Sequence, residues 1–112
     1  MSDIETIELS ITEAKRLVEK KDNIEKLMRN REFRKIFEDG YFTEEAARLV
    51  AVSADPQMAE QRDDIFLQIQ AISKVKQYLR HSVMIGHIAE RDLAEQTEVL
   101  DEMRSEGMEF VQ

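Results

Sequence analysis

The 112-residue chain has no cysteine, one proline and three glycines, and each shortage closes off a class of protein. Without cysteine there is no disulfide framework, thiolate metal site or thiol chemistry, so the staples of small secreted domains are missing and a cytoplasmic location is expected. Gly40, Gly86 and Gly107 stand singly, which excludes a glycine-rich phosphate loop, and no serine sits in a nucleophile motif. So little turn punctuation, with aromatic residues at only 6%, favours helices over sheets. No apolar run exceeds four residues and the opening Met1-Ser2-Asp3-Ile4-Glu5 is acidic, so neither a signal peptide nor a membrane span is expected.

What the chain does have is charge. Charged residues make up 36% of it, with 16 Lys and Arg against 24 Asp and Glu for a formal net charge of -8. This balance argues against broad binding to nucleic acid or to anionic lipid. The acid is concentrated at the ends, and residues 88–112 alone carry -6. A local basic run, Arg29, Arg31, Arg34 and Lys35, interrupts it. That run could meet the acidic tail of a neighbour or the phosphates of a nucleic acid, or form a solvated helix face.

The strongest pattern is a heptad. An apolar or small residue recurs at Met58, Ile65, Ile72, Leu79, Gly86, Leu93 and Leu100, a helical repeat sustained from Asp55-Pro56 to about Glu106. Proline is tolerated at the first helical position, and Asp55 can accept from the free N–H groups that follow. A helix of about 50 residues would span about 75 Å, so it either bends or projects.

Upstream, Ser2-x-x-Glu5 and Ser10-x-x-Glu13 both have capping-box spacing, leaving two possible starts for a first helix. Ile7, Ile11, Ala14, Leu17, Val18, Ile24, Leu27 and Met28 give it an apolar face ending near Arg29, with Lys21 among the residues outside that face. Asn30 can cap a short second helix carrying Phe33, Ile36 and Phe37, which Gly40 would end in a left-handed conformation. Thr43 would cap a third helix, with Glu44 and Glu45 in its first turn. Five of the seven aromatics, Phe33, Phe37, Tyr41, Phe42 and Phe66, fall in or near this corner, which is therefore the expected core.

The long helix changes character at Gly86. Before it, Ile65, Phe66, Ile69, Ile72, Val75, Leu79 and Val83 make a stripe broad enough to cover the earlier helices. After it, Ala89, Leu93, Gln96, Leu100 and Met103 form a narrow a/d seam among acids, which reads as a coiled-coil arm for self-association. Gly86 marks a bend or a close helix contact, and a continuous helix with a bend is the expected form. The predicted architecture is all-α in a single domain, residues 1–112: a short-helix corner packed on a long C-terminal helix, bundle or coiled-coil-like, and oligomeric. Within it, residues 1–85 form the globular part, 86–106 the arm, and 107–112 a tail that frays or docks.

The run from Asn30 to Val50, NREFRKIFEDGYFTEEAARLV, resembles a segment in small helical proteins of tailed bacteriophages, with Phe33, Gly40-Tyr41-Phe42, Glu45-Ala46 and Arg48-Leu49-Val50 carrying the likeness. The resemblance covers about a fifth of the chain. It implies an accessory or virion-assembly protein located in the host cytoplasm or the virion, and it brings no catalytic residues with it.

No constellation for catalysis or for a cofactor is apparent. His81 and His87 are six residues apart and diverge around a helix, so they do not converge on a metal. His87-x-x-Glu90 reads as a surface pair, and Asp63-Asp64 lacks a histidine or apolar pocket to tune it. The expected protein is non-enzymatic, without cofactor or metal. Its expected role is protein–protein interaction, as a phage structural or assembly component that forms a homo-oligomer and contacts another virion or host protein. The alternative is an acidic inhibitor or regulator occupying a host protein at a nucleic-acid site through residues 88–112. A nucleic-acid binder using the four-residue basic run ranks behind both.

Overall fold

The computed structural model describes the backbone of residues 2–111 and the side chains of residues 2–107. In chain order it contains α1 (Asp3–Arg29), the single turn α2 (Arg31–Phe33), a π-helical run (Arg34–Glu45), α3 (Ala46–Ser53), a 3-10 segment (Pro56–Gln61) and α4 (Arg62–Val111). No strand occurs among the described residues. The fold is all-α, with a long C-terminal helix packed by shorter ones.

Three predicted starts use the expected caps. At α1 the first capping box operates: Glu5 N–H donates to Ser2 Oγ at 3.2 Å while Ser2 N–H donates to Glu5 Oε2 at 3.3 Å. The second box lies inside the helix, where Glu13 turns instead to Arg16 at 2.6 Å. Asn30 Oδ1 accepts from Phe33 N–H at 2.8 Å. Asp55 Oδ1 accepts from Gln57 N–H at 2.9 Å, but the turn after Pro56 is 3-10 and kinks at Met58 before α4 begins. Arg62 Nε reaches back to the Ser53 carbonyl at 2.9 Å, satisfying an oxygen at the end of α3.

The corner departs from expectation. Gly40 does not end a helix, since no described residue has positive φ, and the chain winds on through it as a π-helix. Each turn is wider by one residue than an α turn. Thr43, expected as a cap, instead donates its hydroxyl to the Glu38 carbonyl five residues back, at 2.8 Å. A Cβ at position 40 would stand 3.3 Å from the Lys35 carbonyl oxygen, again five residues back, so glycine suits the inside of this turn.

Ring positions account for the winding. At about 3.6 residues per turn, nine residues would put Phe42 half a turn from Phe33. The wider turn keeps both beside Phe37. Phe33 stacks on Phe37 with centroids 5.0 Å apart, and Phe37 meets Tyr41 at 6.1 Å and Phe42 at 6.2 Å. Such pairs contribute about 0.5–1.5 kcal/mol each beyond area burial.

The chain packs as two units. A central unit comprises residues 24–81, and a terminal unit combines residues 1–23 with residues 82–112. This division differs from the expected globular part and projecting arm, because the first 23 residues belong with the second half of α4. In the central unit Leu49, Ile65 and Ile72 form the core, with Tyr41, Phe42, Ala46, Val52, Met58 and Ile69 packed on it. Phe33, Tyr41 and Phe42 are half-buried and Phe37 and Phe66 are exposed, so of the corner rings expected to form the core Tyr41 and Phe42 pack against it and none is fully buried.

In the terminal unit α1 and α4 run antiparallel, as two cross-links fix: Arg104 to Glu8 at 2.8 Å and Lys21 to Glu90 at 2.9 Å. Ile11, Ala14, Ala89 and Leu100 are buried between them. The helix passes through Gly86 unbroken, and the glycine serves a close contact. A Cβ there would lie 2.2 Å from Lys21 Cβ and 3.1 Å from the Leu17 carbonyl oxygen. Nor does α4 stop at Gly107, since its backbone continues to Val111. The apolar side chains of the predicted tail, Met108, Phe110 and Val111, lie outside the described residues.

Candidate functional site

The predicted self-association seam lies inside the terminal unit. Ala89 and Leu100 are buried, and Leu93, Gln96 and Met103 are half-buried, in the unit that also contains residues 1–23 of the same chain. A narrow stripe does need a partner helix, as the sequence implies, but α1 supplies it. Gln96 Oε1 is buried and has no hydrogen-bond partner among the described residues.

Lys21 is the residue that sequence reasoning placed wrongly. It retains only 4% exposure, because the space above Gly86 takes its stem. Its ammonium contacts Glu90 at 2.9 Å and Asp22 at 3.1 Å. The hydrogen bond to Glu90, then that to Asp22, holds the Lys21 pKa above its ordinary value. His87 Nδ1 lies 3.7 Å from Glu90, consistent with a surface pair. No group of three or more potential metal ligands converges among the described residues.

The basic run is wholly exposed. Arg29, Arg31, Arg34 and Lys35 make no ion pair among the described residues. Nearby in the central unit is an open groove of about 360 Å³. Met28, Phe33, Phe42 and Leu79 make its apolar floor, while Glu38 and Asp39 flank it on the π run and Lys76 and Arg80 on α4. These four charged side chains do not pair with one another among the described residues. No helix is long and apolar enough to cross a membrane, within the described residues.

A different surface dominates the central unit. Among its described residues, four apolar side chains are buried: Ile24, Leu49, Ile65 and Ile72. Eight large ones are exposed: Leu27, Ile36, Phe37 and Val50, then Phe66, Leu67, Val75 and Tyr78 on α4. Val75 and Phe66 were expected within the covering stripe, but the neighbouring helices reach only the Ile65, Ile69 and Ile72 line. Leu67, Ala71, Val75 and Tyr78 recur at four, four and three residues and so share one face of the helix. Leu67 stands two residues on from buried Ile65, more than half a turn round the helix. Leu67 is 63% exposed and Tyr78 55%. The signal for this face was present in the sequence, hidden beneath the stronger heptad that runs through the core. Comparison of the chain with family models, with curated proteins and with solved structures gives no match.

Proposed function

We propose that this protein is a non-enzymatic, self-associating helical module for protein–protein interaction, of the kind used in virion assembly. The observation that carries this reading is the central unit's excess of exposed over buried large apolar side chains. A 58-residue unit with so thin a core falls in the size range where disulfides, metals or association normally supply stability. Disulfides are unavailable to a chain without cysteine, and association would cover the outer apolar face. The resemblance of residues 30–50 to small phage proteins favours an assembly or accessory role over other uses of a helical adaptor.

The test is light scattering coupled to size exclusion on the full chain at loading concentrations from a few to about 100 μM, at low and moderate salt. The expected mass exceeds the 13.1 kDa of one chain and holds or rises with added salt, since apolar contact is not screened. A monomer throughout that range would sink the reading.

A second reading has one observation in its favour. The terminal unit contains six basic and fourteen acidic residues, and so carries the whole net charge of -8. Such a surface suits competition for a basic site on another protein. Binding of that kind would weaken steeply as salt rises, opposite to the behaviour expected of the assembly.

A further inference from the structure

We infer that the groove between the π-helical run and α4 in the central unit is a docking site for an amphipathic helix of another protein, one whose apolar stripe is bordered by basic side chains on one edge and acidic side chains on the other. The inference goes beyond self-association and does not depend on it, since a single chain supplies the whole groove.

Two separate elements build the site. On the π run, Glu38, Asp39, Phe42 and Thr43 all line the groove. Glu38 and Thr43 are five residues apart, which in an α-helix would set them about 140° apart round the axis. The wider winding brings them to one side, where the Thr43 hydroxyl donates to the Glu38 carbonyl. On α4, Lys76, Leu79 and Arg80 recur at three and four residues and share a face. The winding that gathers the rings therefore also lays an acidic wall along one flank, with a basic wall on the other and an apolar floor between.

Both walls lack counter-charges. No acidic residue stands three or four positions from Lys76 or Arg80 on their own helix, and neither forms an ion pair among the described residues. Glu38 and Asp39 form none there either, although Arg34 and Lys35 lie about one turn away. Glu38 and Lys76 are half-buried, so each charge is partly withdrawn from water without an opposite charge to offset the loss.

The occupant's chemistry is the complement of these surfaces. A basic side chain suits Glu38 and Asp39, an acidic one suits Lys76 and Arg80, and large apolar ones suit the floor of a groove of about 360 Å³. A nucleic acid would set its phosphates against the acidic wall. An extended peptide would find no strand edge, because the described residues contain no strand and helical walls bond their main-chain groups internally. A helix brings its own main-chain hydrogen bonds.

The probe is a synthetic helical peptide of about 15 residues with a leucine stripe, lysine along one edge and glutamate along the other. It has no net charge, so the acidic terminal unit does not attract it at long range. Fluorescence anisotropy of the labelled peptide with the full-length chain at low salt should show binding roughly tenfold tighter than that of a peptide with glutamine on both edges. Lys76→Glu with Arg80→Glu, and separately Glu38→Lys with Asp39→Lys, should each weaken the probe by roughly tenfold. All four changes together exchange the walls, and a probe lying in the opposite direction should regain most of the lost affinity. Helicity is followed by circular dichroism. Should a paired variant lose it, the exposed single changes Asp39→Lys and Arg80→Glu carry the test, each weakening the probe by about threefold. No binding by the probe would overturn the inference, as would failure of the fully exchanged, folded variant to regain affinity. Binding indifferent to every wall change would put the peptide on another apolar surface, overturning the inference while leaving self-association untouched.

Discussion

The two units solve the packing of helices by opposite means. The terminal unit brings α1 and α4 together at a glycine, with small buried residues, Ala14 and Ala89, among the larger ones, and surrounds the contact with acid. The central unit, with ten basic and ten acidic residues, is neutral and fills space with rings, distorting a helix into π geometry to keep them together. Closeness suffices for a two-helix contact, whereas a corner of short helices needs large side chains to reach across. The second solution leaves much apolar surface outside.

The comparison breaks most readily at the central core. Leu49→Ala, removing a side chain with 3% exposure from between α3 and α4, should destabilise by about 2–5 kcal/mol. Urea unfolding followed by circular dichroism measures it, and a loss below about 1 kcal/mol would show that the central unit does not depend on this cluster. Gly86→Ala comes next. The added methyl meets Lys21 and the Leu17 carbonyl, an overpacking cost of about 1–3 kcal/mol, against about 1 kcal/mol gained from helix propensity. Net destabilisation is expected. Gly107→Ala, with nothing within 4 Å of its new methyl, should instead be neutral or stabilising by up to about 1 kcal/mol. If the two glycine substitutions behave alike, the close contact is not what position 86 serves.

Smaller effects sharpen the picture of the terminal unit. Gln96→Leu removes a buried amide oxygen that has no partner among the described residues, and should stabilise by about 1 kcal/mol. Destabilisation on thermal unfolding would mean that the amide is satisfied in solution. Lys21 gives a pH dependence whose sign follows from its raised pKa. Its contribution is present in full below the ordinary 10.5 and fades as pH climbs through the higher folded value. Parent and Glu90→Gln should therefore converge in stability at strongly alkaline pH. A gap between them that stays constant from neutral pH to beyond about pH 11 would count against the pairing.

Much of the fold was legible because its signals are local. Asn30 and Asp55 are read correctly as caps, and Ser2 is one of the two starts that the spacing offers, since a cap involves only its own turn. Gly40 and Thr43 are misread because the signals for a left-handed helix end and for a wide π turn are the same residues, and only the positions of distant rings decide between them. The seam from Ala89 to Met103 is legible as a stripe, and α1 of the same chain lies along it. Periodicity shows that a stripe must be covered but carries no label for the covering helix. Lys21 was illegible for a related reason, as its burial depends on the gap left by a glycine 65 residues away.

That gap has a consequence for how the terminal helices find each other. An apolar repeat of seven is indifferent to sliding, because a shift of one heptad lays the same kind of residue on the same face. With Lys21 over Gly86 the surfaces mate, but a slide of seven residues along α4 would bring Lys21 onto Leu93, where a branched side chain occupies the recess. The ammonium would also lose Glu90. The glycine is thus a keyway cut at one position of an otherwise uniform rail, and the lysine is the key. Two helices whose repeat would admit several alignments are held to one by the single place where a side chain is missing.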